Sequence, residues 1–350
     1  MEKILTITVP TYNMEAYLDE CLSSMVMEDA SLMEALEVIV VNDGSKDNSL
    51  NIALSYKERY PNTFVVIDKE NGNYGSCVNR GLKEATGKFF RIVDADDWVD
   101  TNALEEFIKR LEDCQCDLVF TDYSEVYAVG KLHKLVSSNI NANIVYDVDQ
   151  MRYEEADTQM QMHGMTYRTA VLYKNNLSLS EGVSYTDTEY CFYPLNDIDN
   201  FIYYDIILYQ YRASRDGQTM SIDSLKKSIN SLYVVSAKLV QSISGTEDLT
   251  RARNVMRYQV LNRMLRLFYM VTLSLSHQSD KTDKYLEELY KLIVVRPLLL
   301  TYVRNYRICR VRYVRIWEKT GLYNSTPLFV LYNSAFNRIK WLLKTVLKLR

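Results

Sequence analysis

The first hundred residues alternate short apolar runs with helical patterns, and this alternation constrains the fold more than any other feature of the chain. Four runs rich in β-branched and aromatic residues, as buried parallel strands require, occupy residues 4–9, 37–41, 63–67 and 88–93. Between them, apolar residues recur at helical spacing, as at Leu18, Cys21, Leu22 and Met25. Strands that alternate with helices predict a doubly wound α/β fold with a mostly parallel sheet.

The remainder of the chain is predicted more coarsely. A helix is expected over residues 104–111, after a possible cap at Thr101, followed by a strand at 117–127 and a polar connection at 131–150. From about residue 222, helical periodicity takes over. We therefore predict a boundary near residue 220, with a helical region over residues 221–350.

The composition is that of a globular protein. Of 350 residues, 47% are hydrophobic and 25% charged, and no apolar run approaches the roughly 18 residues of a membrane-spanning helix. The chain starts with MEKILTITVP, which does not resemble a signal peptide. Because the six cysteines avoid the C-x-x-C spacing, we expect reduced, mostly buried thiols and a cytoplasmic location.

The net charge of −4 conceals a basic C-terminal region. Residues 291–350 carry thirteen Lys and Arg against one acidic residue, Glu318. Residues 334–350 read as an amphipathic helix with basic residues off its apolar face. We expect these basic helices to bind the inner membrane surface. Packing on the catalytic domain is the alternative, and nucleic acid is not an expected partner.

Three carboxylates follow the predicted strand at 88–93. Asp94 and Asp96 are two positions apart, so an extended chain points both to one side. Two carboxylate oxygens at a strand end suit Mn²⁺ or Mg²⁺ shared with substrate phosphates. The alternative is a solvated turn in which Asp97 or Asp100 caps the next helix.

Two further segments follow strands in the same way. Asp43 directly follows the strand at 37–41, where its carboxylate can accept a hydrogen bond from a nucleotide base. The alternative is a turn in which Asp47 or Asn48 caps the next helix. Residues 70–81, rich in small and amide side chains, could let the backbone approach a diphosphate.

Together these segments resemble family 2 glycosyltransferases of the GT-A fold. The resemblance rests on TITVPTYN, VIVVNDGSKDNS and NGNYGSCVNRGLKEATGKFFRIVDADDW, which follow one another at similar spacings. It implies that Pro10, Thr11 and Tyr12 lie along the nucleotide and that Asp43 binds the base, typically uracil. Asp94 and Asp96 would hold the metal and the diphosphate, with Asp97 as the alternative metal ligand to Asp96.

The resemblance also implies a catalytic base in the segment EGVSYTDTEYCFYPL at residues 181–195. Asp187 matches that position, and Glu189 is its rival. Arg212 or Arg215 would contact phosphate or acceptor, and Gln218 with Thr219 would close the site. The alternative is a salt bridge to the acidic catalytic domain. His163, one of three histidines, is expected to be structural or to face the acceptor.

These expectations predict an inverting, metal-dependent glycosyltransferase of cell-surface polysaccharide synthesis. Its donor would be a nucleotide-sugar, UDP-linked as is typical of the family, and its acceptor a glycan or a lipid-linked acceptor. Residues 1–220 would form the catalytic domain, with a nucleotide-sugar half at 1–100 and an acceptor half at 101–220. The alternatives are a non-catalytic nucleotide-sugar-binding or membrane-scaffold protein and a sugar-phosphate nucleotidyltransferase.

Overall fold

The computed structural model describes residues 2–127, 130–134, 140–151, 160–213, 222–276, 279–308 and 311–321. The chain divides into two compact units, one comprising residues 1–216 and 248–260, the other residues 217–247 and 261–350. Because residues 248–260 belong to the first unit, the units are not consecutive halves of the chain. The division into residues 1–220 and 221–350 stays a prediction.

The first unit contains one large sheet. Its described strands are β1 (Leu5–Thr11), β2 (Leu36–Asn42), β3 (Phe64–Asp68), β4 (Phe89–Ile92), β5 (Trp98–Val99), β6 (Leu118–Tyr127), β7 (Gly130–Lys134), β8 (Val145–Asp147), β9 (Met165–Arg168) and β10 (Asn200–Arg212). They are ordered β3-β2-β1-β4-β9-β6-β10-β5, with β7 beside β6 and β8 beside β10. The predicted α/β sheet is confirmed.

Helices flank this sheet and follow it in the chain. In the first unit they are α1 (Leu18–Ser23), α2 (Ala30–Ala35), α3 (Ser49–Arg59), α4 (Asn73–Glu84), α5 (Thr101–Asp113), α6 (Thr169–Lys174) and α7 (Asp187–Phe192). The later helices are α8 (Ile222–Lys227), α9 (Ile229–Gln241), α10 (Ala252–Met270), α11 (Asp280–Val294), α12 (Pro297–Asn305) and α13 (Tyr313–Thr320). The predicted helical C-terminal region is confirmed.

The four strands β3, β2, β1 and β4 run parallel, so their carboxyl ends meet at one edge of the sheet. All seven residues of β1 and of β2 are buried, as expected for parallel strands covered on both faces. The buried polar residues Thr6 and Glu37 are hydrogen-bonded to each other at 2.6 Å. In the other half, β10 is parallel to β6, whereas β9 is antiparallel to both β4 and β6. The residues before β9 therefore lie at the edge where β4 ends.

Two local expectations are wrong. Thr101 is the first residue of α5 rather than its cap, because the Asp100 carboxylate accepts a hydrogen bond from the amide of Ala103 at 3.0 Å. The region 131–150 is not only a connection: β7 forms a hairpin with β6, and β8 pairs with β10. A short strand that pairs with a long neighbouring strand can form without a clear apolar pattern, so the sequence did not predict β7 and β8.

The second unit is helical and packs through aromatic and ionic contacts as well as aliphatic ones. The rings of Tyr233 and Tyr285 stack at 4.6 Å between centroids, and Arg304 pairs with Glu318 at 2.7 Å. Among the helices that the structure describes, none is long and apolar enough to span a membrane. The predicted tail at 334–350 lies outside the described residues.

The five cysteines at described positions are free and buried, at residues 21, 77, 114, 116 and 191. This agrees with the expectation of reduced, buried thiols for those five, and Cys309 lies outside the described residues.

Candidate active site

The loops after β1 and β2 are joined at the carboxyl edge of the sheet. The amide of Asp43 donates to the carbonyl of Thr11 at 2.8 Å, and the Asn13 side chain accepts from the amide of Lys46 at 2.8 Å. Pro10 and Thr11 are buried at the end of β1, whereas Tyr12 is 46% exposed. The segment Pro10–Tyr12, called the rim below, is predicted to line the nucleotide, and Tyr12 is the exposed residue of the three.

Asp43 is buried, whereas Tyr12 of the rim is exposed. Its side chain is ion-paired with Lys69 and accepts from the amide of Gly72 at 2.9 Å. Its backbone carbonyl accepts from the Asn71 side chain at 3.0 Å. Asp43 therefore anchors the loop that leads into α4, and its predicted role as base ligand stays a prediction.

The acidic segment after β4 forms a tight turn. The amide of Asp97 donates to the carbonyl of Asp94 at 3.0 Å. The Asp97 carboxylate is buried and accepts from the Tyr209 hydroxyl at 2.6 Å and from the Arg212 amide at 2.7 Å. Asp94 is half-buried and accepts from the Tyr74 hydroxyl at 2.8 Å. Asp96 is also half-buried.

Burial and neighbouring negative charge raise the pKa values of Asp94 and Asp97. Burial raises the pKa of Asp94 well above its usual range, and the neighbouring charges of Asp97 and Asp96 raise it further. Burial likewise raises the pKa of Asp97, with Asp96 adding to the shift. A cation at this turn would favour the charged forms of these groups, so the residues fit the predicted divalent metal.

Histidine completes a possible ligand set. One ligand atom each from Asp94, Asp97 and His163 lies within 4.8 Å of the other two. Among the described residues, Asp96 does not belong to this group, so its predicted role as metal ligand stays a prediction. His163 lies near the acidic turn because β9 runs antiparallel to β4. The direction of β9 cannot be read from the sequence, so the sequence did not indicate this contact.

Arg212 ties the acidic turn to the first helix. Its guanidinium pairs with Glu20 at 2.6 Å, donates to the Asp96 carbonyl at 2.8 Å and lies 4.6 Å from the Trp98 ring centroid. These contacts give Arg212 a structural role, and its predicted contact with phosphate or acceptor stays a prediction. Arg215, Gln218 and Thr219 lie outside the described residues.

The two candidate bases differ in environment. Glu189 is buried, and its two carboxylate oxygens accept from the amide and the hydroxyl of Ser180 at 2.6 and 2.7 Å. Asp187 is half-buried at the first turn of α7. The contacts of Glu189 stabilise the loop before α7, and the predicted role of Asp187 as catalytic base stays a prediction.

Tyr74 connects Asp187 to the acidic turn, and sequence reasoning missed it. Burial raises the pKa of the Tyr74 phenol well above its usual range, and the charges of Asp94 and Asp187 raise it further. The phenol donates a hydrogen bond to Asp94 and lies within electrostatic reach of Asp187. The sequence signal was a large aromatic residue within the otherwise small and amide segment at 70–81.

The chain is similar in sequence to known glycosyltransferases. Residues 6–175 match the Glycosyl transferase family 2. The putative glycosyltransferase EpsH of Bacillus subtilis is 31% identical over 178 residues, which cover 50% of this chain and 49% of EpsH. The uncharacterized glycosyltransferase YibD of Escherichia coli is 31% identical over 205 residues, which cover 55% of this chain and 57% of YibD. The chain thus spans about half the length of these relatives.

A solved structure extends the likeness of the fold. The crystal structure of S. aureus TarS 1-349 in complex with UDP-GlcNAc superimposes with a TM-score of 0.64 at 21% identity, covering 91% of this chain and 93% of that one. This similarity establishes a shared fold that includes helices beyond the sheet. The resemblance to family 2 glycosyltransferases is confirmed over residues 6–175, where the chain matches that family.

Proposed function

We propose that this protein transfers a sugar from a nucleotide-sugar, most simply UDP-linked, to a hydroxyl group of a glycan or lipid-linked acceptor, with inversion at the anomeric carbon. The observation that carries the proposal is the acidic turn, where Asp94 accepts from the Tyr74 hydroxyl at 2.8 Å and has a ligand atom within 4.8 Å of those of Asp97 and His163. Asp94 would hold the leaving group, and Asp187, at the first turn of α7, would supply the carboxylate for proton transfer. The UDP-GlcNAc complex of TarS supports the choice of donor.

In this proposal the rim from Pro10 to Tyr12 holds the nucleotide, and Asp43 accepts a hydrogen bond from the base. Asp94, together with Asp96 or its alternative Asp97, would hold a divalent ion at the diphosphate. Mn²⁺ or Mg²⁺ bound there would stabilise the negative charge that grows on the departing diphosphate. Arg212 keeps the turn that carries these carboxylates in place.

Asp187 acts as the general base. It takes the proton of the acceptor hydroxyl while that oxygen forms a bond to the anomeric carbon and the bond from that carbon to the diphosphate oxygen breaks. A single displacement of this kind inverts the configuration. Polysaccharide synthesis at the cell surface is the process we propose for the product.

The test is release of UDP from a panel of UDP-sugars, with and without Mn²⁺, by the wild-type chain and two variants. We expect Asp187→Asn to lose about 10²- to 10⁴-fold in activity with unchanged UDP binding, because it removes proton transfer. Glu189→Gln serves as the matched control and should lose stability rather than base function. Full activity of Asp187→Asn would exclude it as the base.

The same assay separates the alternatives. A non-catalytic binding or scaffold protein would bind UDP-sugars without releasing UDP. A nucleotidyltransferase would release pyrophosphate from a nucleoside triphosphate and a sugar phosphate instead. Either result would overturn the proposed function.

A further inference from the structure

His163 lies at the amino end of β9, beside the carboxyl end of β4. It belongs to the short 3-10 turn Met162–Gly164 that directly precedes β9. Because β9 and β4 are antiparallel, this turn meets the segment that carries Asp94. The ligand atoms of His163, Asp94 and Asp97 lie within 4.8 Å of one another, although Asp94 and His163 are almost seventy positions apart in the sequence.

The imidazole ring is held by aromatic neighbours. Its centroid lies 4.7 Å from that of Tyr209, 4.9 Å from that of Tyr211 and 5.2 Å from that of Tyr123. Tyr209 also donates its hydroxyl proton to Asp97. One residue therefore packs on the imidazole and orients the neighbouring carboxylate.

Arg91 holds the backbone at His163. Its side chain is fully buried and donates to the His163 carbonyl, to Thr166 Oγ1 at 2.8 Å and to Thr121 Oγ1 at 3.3 Å. A buried guanidinium is tolerated only when it is hydrogen-bonded, so these contacts keep the His163 turn joined to β4 and β6. The imidazole is thus placed before any ligand arrives.

We propose that His163 is a protein ligand of the divalent ion, together with Asp94 and Asp97, and that it makes the site select Mn²⁺ over Mg²⁺. The inference rests on the metal-dependent site of the proposed function. Mg²⁺ is bound mainly through oxygen, whereas imidazole favours transition-metal ions. A site with two carboxylates and one imidazole should therefore bind Mn²⁺ more tightly than Mg²⁺. A site with carboxylates alone would discriminate less between these two ions.

The hydrogen bonds of Asp97 are compatible with this role. Each carboxylate oxygen has two lone pairs and can accept more than one interaction. Carboxylates that bind a metal commonly also accept hydrogen bonds from other protein groups. Tyr209 and the Arg212 amide provide such contacts to Asp97. Asp96, which lies outside the group of three, should contribute less to metal affinity than Asp97.

The test uses the full chain and Mn²⁺ alone, without donor or acceptor. Pulsed electron paramagnetic resonance of the bound Mn²⁺ should show coupling to an imidazole nitrogen, and His163→Gln should abolish that coupling. By titration calorimetry we expect His163→Gln to weaken Mn²⁺ binding about 10- to 100-fold while changing Mg²⁺ binding far less. Bound Mn²⁺ without nitrogen coupling would overturn the proposal, as would absence of Mn²⁺ binding at millimolar concentration.

Tyr123→Phe is the matched control. It keeps the ring against His163 and removes only the hydroxyl that donates to Gln161 at 2.9 Å, so coupling and selectivity should persist. The outcomes also separate this inference from the proposed function. If Mn²⁺ showed nitrogen coupling but no UDP were released, only the proposed function would be contradicted. If UDP were released but the bound Mn²⁺ showed no nitrogen coupling, only the role of His163 as metal ligand would be contradicted.

Discussion

At the scale of single residues, Tyr74 has the most consequential position in the site. Its phenol is buried, donates to Asp94 at 2.8 Å and lies in the electrostatic field of Asp187. Burial and these charges raise the pKa of the phenol well above its usual range. The hydroxyl donates its one proton to Asp94, which favours the charged form of that carboxylate.

Tyr74→Phe should therefore weaken Mn²⁺ binding. A hydrogen bond to a charged group contributes about 1.5–3 kcal/mol, so losing it corresponds to roughly tenfold or more in affinity, measured by calorimetry. Tyr190→Phe is the control, because the Tyr190 hydroxyl donates to a backbone carbonyl, that of Phe90 at 3.2 Å, rather than to a carboxylate. Equal losses in both variants would show that Tyr74 acts only through packing.

At the scale of elements, α4 positions the candidate base through the loop before α7. The Asn79 side chain donates to the Leu179 carbonyl at 2.9 Å and accepts from the Leu179 amide at 2.7 Å. At Gly75, helix and loop approach so closely that a Cβ atom would lie 2.1 Å from the Ser180 carbonyl oxygen. Only glycine permits this approach, because the obstructing atom belongs to the backbone.

Gly75→Ala should therefore shift the loop that leads to Asp187. We expect a loss of about 1–3 kcal/mol in the free energy of unfolding, measured by denaturant titration, and a fall in kcat of at least tenfold. Lys83→Ala, at an exposed position of the same helix, should change neither quantity. If the Gly75 variant kept wild-type kcat, α4 would not control the position of Asp187.

At the scale of the whole molecule, positive charge is concentrated in the C-terminal region. Residues 291–350 carry +12, which leaves −16 for the rest of the chain. A lipid-linked acceptor would require the enzyme to work at a membrane surface, and basic residues near anionic lipid contribute about 1 kcal/mol each. Membrane binding by the C-terminal region therefore stays a prediction.

Replacing Lys340, Lys344 and Lys348 by Gln in the full chain tests this prediction. The loss of three positive charges should weaken binding to phosphatidylserine vesicles about 100-fold, as measured by vesicle sedimentation. The control replaces three exposed lysines of the first unit, Lys57, Lys83 and Lys174, and should bind as the wild type does. Equal vesicle binding by both variants would place any attachment elsewhere.

The sequence by itself determined the parallel half of the sheet and the segments at its carboxyl edge. Buried strands need continuous apolar runs, and each run in the first hundred residues formed a strand. The motifs that follow these strands also carried the resemblance to family 2. Local pattern sufficed there because strand, turn and helix follow one another directly in the chain.

Only the tertiary structure decided which distant side chains meet that edge. His163, Tyr209 and Tyr74 reach the acidic turn through strand direction and helix docking, which no local pattern encodes. The same holds for Asp97, whose neighbours in space hold it in the turn while Asp96 remains half-buried. Long-range contacts depend on the register and direction of strands far apart in the chain, and these are properties of the assembled sheet.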